Sequence, residues 1–194
     1  TASEGELASG WLSALPLAEA GYFLNKDDWH NLIAARFGLP FTDLPSLCGC
    51  GVPFSEKHEL SCALGGFVLA RHNEVRDFFL KVLRGLFPDC RLEPHLRELS
   101  EEQRLALQAK YRSSNLSDHP RGDFSVVGFW RDYVRGFFDV RVWNHLAETN
   151  SKDPAIEVHA RHEREKRLEY ELRILNFENG TFCPLVFSTS GSVA

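Results

Sequence analysis

An aspartate stands in the middle of the run Gly136-Phe137-Phe138-Asp139-Val140-Arg141-Val142-Trp143, and no other feature limits the possible folds of this chain as tightly. The run has the β-branched and aromatic content of a strand. A period of two sets Phe138, Val140 and Val142 on one face and Asp139 with Arg141 on the other. Aspartate is scarce in strand interiors, and a carboxylate flanked by phenylalanine and valine needs a specific partner. A second strand-like run, Asp123 to Trp130, carries Phe124, Val126, Val127 and Phe129, and Arg131-Asp132-Tyr133-Val134-Arg135 suits the turn between the two. Paired as a hairpin, they bring Asp123 beside Asp139, where two carboxylates repel unless a divalent cation sits between them. The same residues also fit a bland arrangement, with Asp123 capping a turn at Gly122 and Asp139 paired to Arg141 or Arg135.

The rest of the chain supplies helices around these strands. Thr1 to Gly10 reads as a linker, and Asn25-Lys26-Asp27-Asp28 as a capped helix start. Trp29, Leu32, Ile33 and Phe37 then form an apolar face that Gly38 and Pro40 end. Leu69, His72, Val75, Phe79, Val82, Leu83 and Leu86 recur at helical spacing up to Pro88. Cys90 to Leu96 reads as a short strand interrupted by Pro94, Leu99 to Tyr111 as a short helix, and Ser113 to Pro120 as a loop. Ile156 to Glu171 is charged and helix-favouring. Leu172 to Phe177 and Phe182 to Phe187 flank Asn179-Gly180, which reads as the turn of a further hairpin. The predicted fold class is therefore α/β (α+β), with a central mixed sheet flanked by helices.

Five cysteines make a poor disulfide framework, and three of them, Cys48, Cys50 and Cys62, crowd into one segment with His58. Thiolates and an imidazole are the ligand set of zinc, and four such ligands close a structural site. Cysteines kept for a metal point to a reducing compartment. Gly49 and Gly51 let the backbone turn closely around sulfur. The net charge of −5 excludes a whole-surface basic footprint for nucleic acid, so any such partner is held by local basic patches. No apolar run approaches the roughly 20 residues that span a bilayer, so no membrane partner is expected. Thr1 to Ser9 lacks the basic start and apolar stretch of a secretory signal. The chain has no methionine at all, which reads as a piece of a longer polypeptide.

Two helical stretches carry chemistry-bearing groups. His162, Lys166 and Tyr170 share one face of the charged helix at i, i+4 and i+8. Arg71-His72-Asn73-Glu74-Val75-Arg76-Asp77 interrupts the long apolar helix with polar residues, either as a site-facing stripe or as its wet side. Glu93, before Pro94, adds an acid to the short strand.

Taken in order, these pieces resemble the PD-(D/E)XK nuclease fold, and more narrowly the restriction-like endonuclease domain of non-LTR retrotransposons with its preceding Cys-Cys-His-Cys knuckle. The matching residues are Cys48, Cys50, His58 and Cys62, then Arg71-His72-Asn73, Glu93-Pro94, Asp123, Asp139-Val140-Arg141-Val142, and Glu165-Lys166-Arg167 with Tyr170. They cover roughly Leu47 to Phe187. Gly122 stands where the family usually has proline, and Arg141 where the fold usually has lysine; in the retrotransposon branch the lysine comes from the following helix, a position that Lys166 matches.

The resemblance implies a linker and helical segment over residues 1–46, a zinc knuckle over 47–66 and a nuclease domain over 67–194. It implies an Mg²⁺-dependent phosphodiesterase that nicks DNA and leaves a 3′-hydroxyl to prime reverse transcription. Asp123, Asp139 and the Val140 carbonyl would hold Mg²⁺, Glu93 would add a ligand directly or through water, and Lys166 would serve the transition state. Arg141 would be the competing cation or a phosphate contact, and Tyr170 would flank the cleft. DNA is the implied partner, with the element's RNA reached through the parent reverse-transcriptase polypeptide, and the nucleus the implied location. Two rival readings stand beside this one. The first is a catalytically inactive nucleic-acid-binding module, a zinc knuckle on a degenerate nuclease scaffold, which Arg141 favours. The second is a structural or interaction domain whose acids are salt-bridged and whose Cys/His cluster is incidental.

Overall fold

A computed structural model of the chain describes residues 10–13, 17–21, 23–41, 44–65, 67–110 and 121–194. The expected loop over Ser113–Pro120 and all but the last residue of the expected linker lie outside the described residues. The helices are α1 (Lys26–Phe37), α2 (Glu56–Glu59), α3 (Val68–Arg84), α4 (Glu101–Lys110) and α5 (Ala155–Arg173). The strands are β1 (Cys90–Leu92), β2 (Phe124–Val127), β3 (Arg135–Trp143) and β4 (Thr181–Ser188), in sheet order β1-β2-β3-β4. No helix among the described residues is long and apolar enough to cross a membrane.

Strands β1, β2 and β3 pair antiparallel, with Leu92 opposite Phe124 and Phe124 opposite Phe138. Strand β4 runs parallel to β3: Gly136 lies beside Thr181 at one end, and Thr189 donates its N–H to the Trp143 carbonyl past the other. The sheet is therefore mixed, as expected. The β1 ladder stops at Glu93, whose φ of +45° breaks the extended run just before Pro94, a residue with no N–H to give.

Contacts divide the chain into two compact units. One takes in Ala70–Val142, His159–Val186 and Ala194. Within it, the β3 alternation buries both faces. Phe138 stacks on Phe124 with centroids 4.9 Å apart, and Phe129 meets Phe138 edge-on. On the opposite face Phe137 joins Leu96, Tyr170, Ile174 and Phe182 in a buried apolar cluster. Asp139 shares this second face, two residues along. Helix α4 opens with a reciprocal cap between Ser100 and Gln103.

The other unit takes in the described chain up to Leu69 with Trp143–Val158 and Phe187–Val193. Asn144 reaches from Trp143–Val158 to donate to the Lys57 carbonyl and to Ser61 Oγ. Helix α1 has the expected cap, with Asn25 Oδ1 accepting from the Asp28 N–H, and ends at Gly38 with φ +63°. Its apolar face is not a core face: Trp29, Leu32 and Phe37 are exposed, and the buried residue is Ala34. Apolar spacing marks a face; it does not supply what covers it.

One expected element is corrected. Leu172–Phe177 is not a strand, and Asn179-Gly180 is not a hairpin turn. Helix α5 runs on to Arg173 and widens into a π-helical turn over Ile174–Glu178. Asn179, at φ +52°, caps it in the left-handed region, and the Gly180 N–H donates to the Ile174 carbonyl. Asparagine and glycine take that conformation as readily to end a helix as to turn a hairpin. Ile174 is fully buried, so packing decides between the two.

Candidate functional site

Among the described residues two groups of chemistry-bearing side chains stand out, one in each unit. The first is the cysteine segment. A bridge between Leu47 and Pro53 closes a tight loop in which Cys48 N–H donates to the Val52 carbonyl and Gly51 N–H to the Cys48 carbonyl. Gly51, at φ +84°, makes that turn possible. His58 rides on α2, which Ser55 caps through the His58 N–H. The ligand atoms of Cys48, Cys50, His58 and Cys62 all lie within 4.8 Å of one another.

Cys48 Sγ and Cys62 Sγ are 3.7 Å apart, and Cys50 Sγ is 3.2 Å from His58 Nε2. A tetrahedron with Zn–S bonds of about 2.3 Å has an edge of about 3.8 Å, so the sulfurs already stand at ligand spacing and too far apart for a disulfide. The Gly65 N–H points at Cys62 Sγ from 3.3 Å, and the N–H groups of Gly65 and Leu64 pull that thiol down toward thiolate. A Cβ at Gly65 would meet Cys48 Sγ at 2.6 Å. The glycine that the sulfurs require most is thus Gly65, beside the expected Gly49 and Gly51. The four residues could hold a metal ion such as zinc.

The second constellation is built on the β2–β3 hairpin. The strand register pairs Phe124 with Phe138; carried one residue further, it sets Asp123 opposite Asp139, on one face. Asp123 stands where the ladder opens. Its Oδ2 accepts the Val140 N–H at 2.5 Å, taking the place of a strand carbonyl. Its Oδ1 lies 3.2 Å from His72 Nε2 on α3. The bond to Asp123 raises His72 above an ordinary imidazole.

Asp139 is buried, and among the described residues its close counter-charge comes from α5: Lys166 Nζ lies 2.9 Å from Oδ2, outside the angles of a hydrogen bond but in direct charge contact. Both side chains are largely out of solvent, at 6% and 17% exposure. Burial pushes the Asp139 carboxyl up to about 6; Lys166 opposes that rise and the charge of Asp123 adds to it. Burial works against the Lys166 ammonium as well, yet the Asp139 carboxylate outweighs it and holds the ammonium above the usual lysine range. This is a lysine kept charged and a carboxylate kept short of its full charge.

The other expected residues are placed as follows. Glu93 accepts from Arg76 Nη1 at 2.8 Å and lies 3.5 Å from Arg121, so two guanidiniums hold its carboxylate. Arg141, on the same strand face as Asp139, pairs with Glu165 at 2.9 Å. Tyr170 is buried in the apolar cluster, with Lys166 Nζ 5.4 Å from its ring centroid, and burial first and then the carboxylate charges raise its phenol. His162 is buried, its Nδ1 3.4 Å from Glu165.

Two residues of the α3 stripe, left open by the sequence between a site-facing and a wet role, stand at this group. His72 touches Asp123 directly, and the buried Arg76 bridges Asp77 and Glu93. The polar stripe of α3 was the available signal, but a period of 3.6 does not say which residue of a stripe meets a strand. No protein-family description and no curated protein matches this chain in sequence comparison.

Proposed function

We propose that the chain is a metal-dependent DNA endonuclease domain of the PD-(D/E)XK type, part of a retroelement reverse-transcriptase polyprotein, that nicks target DNA in the nucleus and leaves a 3′-hydroxyl for primed reverse transcription. One observation carries this reading: the lysine is delivered to Asp139 by the helix that follows its strand, at 2.9 Å. That is the departure from the usual strand lysine that separates the retrotransposon branch from the wider nuclease fold.

The acid pair suits Mg²⁺. A buried carboxyl raised to about 6 beside a second acid is a site in which a hard cation relieves both burial and repulsion. Asp123 and Asp139 would hold it, each carboxylate oxygen keeping a lone pair beyond its present contacts. The Val140 carbonyl and a water on Glu93 are the further ligands the resemblance assigns. When bound, Mg²⁺ supplies a water of lowered pKa and stabilises charge on the scissile phosphate. His72 and the Val140 N–H fix both oxygens of Asp123. Lys166 holds its positive charge beside Asp139, where it orients the attacking water or neutralises the phosphoryl oxygens in the transition state. Zinc at Cys48, Cys50, His58 and Cys62 is structural, since four protein ligands leave no open position.

Nicking of supercoiled plasmid in Mg²⁺, against EDTA, tests this. Asp139→Ala is expected to abolish nicking, a loss of about 10³-fold or more. Lys166→Ala is expected to lower the rate by about 10²-fold while DNA affinity stays within about twofold, because its charge is needed mainly in the transition state. A Lys166 variant that stays active, with Arg141→Lys changing the rate instead, removes the assignment to α5. A wild type that binds DNA and never cuts establishes the inactive binding module.

A further inference from the structure

Among the described residues two cations bear on the face of β3 that carries Asp139, and the one nearer in sequence is turned away from the acid. Arg141 lies two residues along the strand on that face, about 7 Å from Asp139 by strand rise and within reach of an arginine's long side chain. Its Nη1 instead pairs with Glu165 Oε2 at 2.9 Å. Lys166, from α5, holds the contact with Asp139. Glu165 and Lys166 are neighbours in sequence, so one turn of α5 brings an ammonium to the acid and draws a guanidinium off it. His162 Nδ1 stands 3.4 Å from the same Oε2, which ties the Glu165 carboxylate to its own helix as well. The Arg141–Glu165 pair is 36% and 49% exposed and so contributes little to stability. What it sets is where the guanidinium goes.

We infer that Glu165 is a positioning residue that keeps Arg141 off Asp139 and so leaves the acid open to a divalent cation, an inference that rests on the Mg²⁺ site proposed above. The two cations differ in what they leave of a carboxylate. A guanidinium is planar, and its fork meets both carboxylate oxygens at once. On Asp139 it would take both oxygens that a metal needs, in a buried place where such a pair is strong. An ammonium is a point charge. Lys166 meets Oδ2, and an ammonium there leaves lone pairs on the carboxylate for a metal. An arginine two positions from a buried metal-binding acid is therefore compatible with the metal only while another carboxylate engages it, and Glu165 is that carboxylate.

Titration of the full chain with Mg²⁺, without DNA, followed by the ¹H–¹⁵N shifts of the Asp139 and Val140 amides, is the test. Glu165→Gln keeps the shape and drops the charge, which frees Arg141, and Mg²⁺ binding is expected to weaken about 10-fold. Arg141→Lys added to Glu165→Gln keeps the total charge of the single variant and removes the fork, and binding is expected to return to within about threefold of wild type. Thermal melts by circular dichroism check that both variants fold. A Glu165→Gln chain that binds Mg²⁺ like wild type overturns the inference. A double variant as weak as the single one also overturns it, and leaves Glu165 as a fastening of helix to strand or a charge acting at a distance. A wild type that binds no Mg²⁺ overturns it too. Plasmid nicking is read separately. The expected binding pattern without nicking in any chain upholds the role of Glu165 and sinks the nuclease; nicking by the wild type, with Mg²⁺ binding indifferent to Glu165, does the reverse.

Discussion

A carboxylate removed from water keeps its charge only where something answers it, and among the described residues the Lys166 ammonium does that for Asp139. Because its carboxyl is raised from about 3.8 to about 6, the folded state binds this proton more tightly than the unfolded chain. The sign follows directly. Below about pH 3 both states are protonated and nothing is lost; as pH rises from about 3 to about 6 the unfolded chain ionises first and stability falls. The loss is about 3 kcal/mol at about 1.4 kcal/mol per unit. Denaturant titrations at about pH 2.5 and pH 7 should therefore show the wild type losing about that much more stability than Asp139→Asn, which has no proton to lose. Removing Lys166 acts in the opposite sense on the acid: in Lys166→Ala the Asp139 carboxyl is expected to titrate above its wild-type value, followed by carboxyl ¹³C shifts in NMR. Millimolar Mg²⁺ should lower the wild-type value, because a bound cation favours the ionised form.

At the scale of elements, the join between α5 and β4 is the place where a small change is felt most. A Cβ on Gly180 would stand 2.6 Å from the Arg135 carbonyl oxygen and 2.9 Å from Phe137 Cε2, backbone and buried ring that have little room to give. Gly180→Ala is expected to destabilise by about 2–3 kcal/mol in urea unfolding. Asn179→Gly, at φ +52°, should be neutral within about 0.5 kcal/mol, while Asn179→Ala should cost about 1 kcal/mol.

The same join marks where sequence stops being informative. Asn-Gly declares a left-handed turn but not which elements it joins, and Leu172–Phe177 is apolar enough to serve as strand or helix. Helix α5 was legible from its charge and propensity; its last turns were set by Ile174 and Tyr170 finding Phe137 and Phe182. The acid pair was legible because a two-residue period and a short turn together fix which side chains face each other. The partner of Asp123 was not, since His72 comes from 51 residues upstream and only tertiary packing brings it there.

At the scale of the whole molecule, charge and metal set two measurable properties. Under the proposed nuclease function, a chain of net charge −5 is expected to bind DNA weakly and with a shallow salt dependence, with log–log salt slopes corresponding to no more than about four phosphate contacts. Purified protein should carry about one zinc per chain. Cys62→Ser or a strong chelator should remove it and lose hydrogen-exchange protection at the Cys48 and Gly51 amides, while Asp139→Ala keeps its zinc. The parallel pairing of β3 with β4 has a consequence of another kind. Parallel neighbours cannot be joined by a short turn, so the polypeptide must travel back along β3 before β4 can start. Helix α5 is that return journey. Lys166 lies seven residues, about 10 Å, before its end at Arg173, and Asp139 four residues, about 13 Å, past the start of β3 at Arg135. The outward and homeward paths are commensurate, so a cation carried at that milestone of the homeward path arrives over the acid without any strand position being reserved for it. Topology here delivers the charge, and position 141 is released to serve the helix that brought it.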